Sequence, residues 1–156
     1  MGRAVDVLAT DFCRSSGYRL LFIRQNDFNT MGAHDGQMHR YGVGQGWTLE
    51  VDVRPEGWVS NARLLKLPAN RGTRLNAQEL NLAAGFLGAL TGRQFSVGGV
   101  KACITAGLAF QNRDPDVYGP PSVLSHWATS AGLPYKARCG VAGAGPLGVW
   151  AGWMQE

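Results

Sequence analysis

The chain has 156 residues, 45% of them hydrophobic and 17% charged. That length suits one ordinary domain, which by surface scaling buries roughly two-thirds of the surface its unfolded form exposes, and the composition excludes an intrinsically disordered chain. Fifteen basic residues against eleven acidic ones leave a formal charge of +4, which permits an anionic partner without requiring one.

The start of the chain carries Asp6 and Asp11 where a signal peptide needs an apolar stretch, and no window reaches the ~18 to 20 apolar residues of a membrane-spanning helix. The expectation is an unprocessed, cytoplasmic chain. Val5 and Val7 alternate with polar neighbours, and residues 18–24 form an apolar run that holds Arg19 and ends on Arg24. Trp47, Leu49, Val51 and Val53 alternate with Thr48, Glu50 and Asp52, the pattern of a half-buried strand with two carboxylates on its polar face. Pro55 and Gly57 then predict a hairpin turn into Trp58 and Val59. Between these strands, residues 26–46 are rich in Gly, Asn and His and lack apolar periodicity, which predicts a long loop.

The second half changes period. Asn76 with Glu79 has capping-box spacing, Leu75 and Leu80 occupy the positions of a hydrophobic staple, and Gly92 stands where a left-handed residue closes a helix. Leu80, Ala83, Ala84, Leu87 and Leu90 form its apolar stripe, widened by Leu82 and Phe86, while Gly85 and Gly88 let another backbone approach. This predicts a core helix over 76–91. Residues 97–110 fit two readings: Val100, Cys103, Ile104, Gly107 and Leu108 follow helical spacing, whereas Val97, Gly98, Gly99 and Val100 resemble a two-residue hairpin turn; helix is favoured. A further short helix is predicted from Pro121 through Val123, Leu124, Trp127, Ala128 and Ala131 to the stop signals Gly132 and Pro134. Val149, Trp150 and Trp153 suggest a closing strand. No repeat or linker divides the chain, so the predicted fold is α+β, a single domain over 1–156, with mainly antiparallel strands in the first half packed against the core helix and one or two further short helices.

Few motifs carry chemistry. Gly143, Gly145 and Gly148 match the letters of a dinucleotide fingerprint, but the helix and strand that must follow have no room. Gly42, Gly44 and Gly46 fail for want of a following helix, and no P-loop is present. His34, Asp35 and His39 are the densest group of metal-ligand types, two imidazoles and a carboxylate, though no regular element fixes their spacing. Cys13, Cys103 and Cys139 are widely spaced and odd in number, which predicts reduced, buried thiols; a nucleophile assembled from one of them with His34, His39 or His126 has no supporting motif. Glu50 and Asp52 could act as a carboxylate pair but read more simply as strand surface.

Arg54, Arg63, Lys66, Arg71 and Arg74, facing Glu56 alone, form the one regional charge asymmetry and are candidate contacts for phosphate or an acidic partner. Trp58, Trp150 and Trp153 are candidate interface anchors. Together these favour a non-enzymatic structural or interaction protein that self-associates or joins a larger assembly, such as an accessory component of a virion or other particle, with no cofactor. The alternative is a small metal-dependent hydrolase or nuclease built on His34, Asp35 and His39. The third reading is a nucleic-acid-binding module using residues 54–74.

Overall fold

The computed structural model describes residues 9–25, 36–66, 74–111, 122–128, 134–141 and 147–153. Among these residues seven strands form one antiparallel sheet: β1 (Arg19–Gln25), β2 (Gln37–Val43), β3 (Trp47–Val53), β4 (Val59–Lys66), β5 (Ser122–Ala128), β6 (Pro134–Val141) and β7 (Leu147–Trp153). Their spatial order is β1-β2-β3-β4-β7-β6-β5, so two meanders meet where β7 docks beside β4. Among the described residues three helices accompany them, α1 (Asp11–Ser16), α2 (Ala77–Thr91) and α3 (Val97–Gln111). The fold is α+β, as the pattern of the chain predicts.

Local chemistry explains the elements that were legible. The turn after β3 closes with Arg54 N–H donating to Trp58 O and Gly57 N–H to Arg54 O, both at 2.8 Å, and Gly57 takes φ 84°. At the start of α2, Asn76 Oδ1 accepts from Glu79 N–H and Glu79 Oε2 accepts from Asn76 N–H, each at 2.9 Å; Gly92 ends the helix at φ 68°. The predicted stripe is the buried one, Leu80, Ala83, Leu87 and Leu90 with Phe86. Phe12 of α1 packs edge-on against Phe86 at 5.7 Å and lies over Gly85, so α2 is held between α1 and the sheet. Gly88 would meet only the Arg93 carbonyl of its own C-terminal turn and is not a packing notch.

Residues 97–111 are helical, and the glycine pair that resembles a turn is the first turn of α3. Ser96 Oγ accepts from Gly99 N–H at 3.0 Å, and Val100 N–H donates to Ser96 O at 3.1 Å. Val100, Cys103, Ile104 and Leu108 face the core.

Three expectations are corrected. The predicted helix after Pro121 is strand β5, which pairs with β6 from Ser122 opposite Cys139 to Ala128 opposite Pro134; Val123, Leu124 and Trp127 suit either period, and the ladder with β6 decides. The predicted loop over 26–46 holds strand β2 and a 3₁₀ turn, Gly44–Gly46. Its strand period was hidden because each face of β2 mixes polar and apolar residues: Met38, Arg40 and Gly42 on one, His39, Tyr41 and Val43 on the other. Finally, Cys103 of α3 and Cys139 of β6 form a disulfide, with Cα atoms 6.0 Å apart, where reduced thiols were expected. The alternation at Val5 and Val7 lies outside the described residues.

Candidate functional site

Alternation along the strands divides the sheet into two faces. Leu49, Val51, Leu64, Val149, Ala137 and Cys139 belong to the core cluster that α2 and α3 cover. Their neighbours in sequence form the opposite face, on which no described helix lies. In register across six strands this face carries Phe22, Arg40, Glu50, Arg63, Trp150 and Arg138; the next row runs Arg24, Met38, Asp52, Asn61, Gly152 and Lys136.

Glu50 and Asp52, expected as strand surface, are buried at 6% and 1% exposure. The correction follows from their cross-strand neighbours. Arg40 pairs with Glu50, Arg63 Nη2 reaches both Asp52 oxygens at 3.0 and 3.1 Å, and Arg63 Nε stands 3.1 Å from Glu50 Oε2, off the line of a hydrogen bond. The Arg40 guanidinium also lies over the Phe22 ring, 4.9 Å from its centroid. A carboxylate taken out of water is tolerable only when paired, so the arginines convert an acidic strand face into a neutralised layer roofed by guanidinium groups. A general acid or base needs access to a substrate, and these carboxylates are spoken for.

The predicted basic segment is divided by the fold. Arg63 serves the buried carboxylates, Lys66 pairs with Glu79 at the start of α2 and stands 5.7 Å from the Trp47 ring, Arg54 sits in the hairpin turn, Arg74 is exposed ahead of α2, and Arg71 lies outside the described residues. The four described ones do not form one track.

Of the three candidate metal ligands, His34 and Asp35 lie outside the described residues. His39 is half-buried on β2, its Nδ1 3.3 Å from Tyr41 Oη and its Nε2 3.3 Å from Gln37 Oε1. Burial lowers the His39 pKa below its ordinary value, favouring the neutral ring. Among the described residues no cluster of His, Cys, Asp or Glu is arranged to hold a metal. The cysteine nucleophile also loses its members: Cys103 and Cys139 are joined, and Cys13 is fully buried, its thiol pushed up in pKa by burial against a smaller opposing effect of its hydrogen bond from Thr10. His126 lies on β5 rather than on a helix. Tyr41, against Tyr18 at 5.6 Å, is raised by burial first and by Tyr18 and Cys13 after it.

The feature that sequence reasoning missed is the edge of the sheet. Among the described residues β1 pairs only with β2, and Leu20, Leu21, Phe22 and Ile23 are exposed at 49%, 45%, 39% and 47%. Apolar side chains therefore stand in water on both faces of an edge strand, which presents unpaired backbone donors and acceptors as well. The signal was the unbroken run Leu20, Leu21, Phe22, Ile23, which reads as a buried strand until its position is known. Of the candidate indoles, Trp58 is exposed at 49% in the β3–β4 turn, Trp150 is half-buried in the helix-free face, and Trp153 closes β7.

An open groove of about 600 Å³ runs between α1 and α2, lined by Phe12, Gln78, Asn81 and Gly85 among others. No helix among the described residues is long and apolar enough to cross a membrane. No protein-family model, curated protein or solved structure matches the chain.

Proposed function

We propose that this is a non-enzymatic assembly protein that self-associates through the β1 edge of its sheet. The observation that carries the reading is the run Leu20 to Ile23, close to half exposed on both faces of an edge strand. Soluble chains normally guard such an edge with charge, proline or a covering segment, because it templates the addition of another strand. A partner strand must itself be apolar on both faces, and β1 is an edge strand of that character. A second copy therefore fits, related by a two-fold axis that joins the two sheets edge to edge.

The magnitudes favour a reversible complex. Taking each of these four half-exposed side chains to full burial contributes about 1 kcal/mol, so roughly 8 kcal/mol for two copies. Association costs about 4 to 15 kcal/mol, and the added backbone ladder offsets part of it. Sedimentation velocity over a range of concentrations tests the reading: dimer is expected to grow with concentration, and Ile23→Lys with Leu21→Lys to leave a folded monomer. A chain that stays monomeric at the highest concentration, or a charged double variant that still dimerises, would overturn it.

A further inference from the structure

The helix-free face of the sheet has a second property that self-association does not use. Its cations, Arg24, Arg40, Arg63, Lys136 and Arg138, outnumber its carboxylates, Glu50 and Asp52. Arg40 and Arg63 neutralise those carboxylates. Among the described residues, no carboxylate lies within ion-pair distance of Arg24, Lys136 or Arg138. The face is thus positive at both flanks of a neutralised centre.

An aromatic ring stands among these charges. Trp150 lies in register between Arg63 and Arg138. Leu65 leans over Gly148, and Asn61 over Gly152, so the space over both glycines that flank Trp150 on this face is filled from β4 and the indole stands half-buried between them. Flat π surfaces flanked by guanidinium groups suit unpaired bases, which offer their faces for stacking while their phosphates meet the cations. A duplex hides those faces in its own stack, and an acidic peptide has no use for the ring.

We propose that this face binds single-stranded nucleic acid, with a base on Trp150 and phosphates on Arg138, Lys136 and Arg24. The test is fluorescence anisotropy with labelled oligothymidine, using a duplex of equal length and heparin as competitors. With three phosphate contacts, log affinity should fall against log salt with a slope near −2, and Arg138→Gln should make it shallower by about 0.7. Trp150→Ala should weaken binding by about fivefold to a hundredfold, while Trp150→Phe retains most of it. Should Trp150→Ala fail to fold, Lys136→Gln with Arg138→Gln tests the charge half of the proposal alone. The substituted positions Trp150, Lys136 and Arg138 lie on β7 and β6, away from the β1 edge, so their variants read nucleic-acid binding separately from self-association. No binding, equal competition by duplex or heparin, or affinity unchanged in the charge and indole variants would overturn the proposal.

Discussion

The disulfide between Cys103 and Cys139 yields the most quantitative prediction. It ties α3 to β6 across a sequence separation of 36. In the chain-entropy description, closing a loop of that size removes about 13 cal/mol/K from the unfolded ensemble, which amounts to about 3.8 kcal/mol of stability at 25 °C. For a chain whose urea m-value is near ~2 kcal/mol/M, this is a shift of about 2 M in midpoint. Urea unfolding followed by circular dichroism, with and without dithiothreitol, reads the difference directly. Alkylation of the unfolded, unreduced chain should label Cys13 alone, and all three cysteines after reduction. Midpoints that coincide within about 0.5 M, or three labelled thiols before reduction, would refute the reasoning. Because disulfides persist in oxidising compartments, the same alkylation on protein trapped inside cells reports the redox environment that the chain occupies.

Removing Arg63 as Arg63→Met strips a partner from two buried carboxylates and should cost about 3 kcal/mol by denaturant unfolding; combined with Asp52→Asn the loss should fall short of the sum by about 1 kcal/mol or more, and strict additivity would count against a coupled network. Asn76→Ala deletes one half of the capping box and should lower stability by about 1 kcal/mol, measurable as a drop in Tm of a few degrees. The His39 pKa is lowered in the folded state, so its neutral form is the favoured one there. The corresponding stability is present above the unfolded value of 6.5 and is lost as pH falls through that value toward the folded one. His39→Gln should flatten this segment of the pH–stability profile, and a parallel profile in the variant would show that other groups are responsible.

Most of the helical half was readable because its signals are local. Asn76, Glu79 and Gly92 specify the ends of α2 within a few residues of themselves, and the buried stripe of α3 follows from spacing alone. What escaped depends on partners distant in sequence. Helix α1 carries a cap at Thr10 and a left-handed Gly17, but six residues are too few to establish a period. Strand β2 alternates without segregating polarity, so its faces became distinguishable only once Arg40 was seen against Glu50 and Tyr41 among core residues. Glu50 and Asp52 read as surface because nothing near them announces the arginines of β2 and β4. The disulfide was invisible for the same reason, and so was the edge position of β1.

The placement of β7 has a consequence for biogenesis. Among the described residues this strand follows every other strand, yet it lies in the middle of the sheet, with Asn61 of β4 opposite Gly152 on one side and Lys136 of β6 on the other. As the chain leaves the ribosome, β4 must wait with an open edge through the synthesis of both long helices and the second meander. Pairings this remote in sequence form slowly, and an unfinished sheet exposes two edges to aggregation. A message truncated ahead of Leu147 would release two half-sheets with nothing to join them, a product that cellular proteases and chaperones can tell from the complete fold by its open edges.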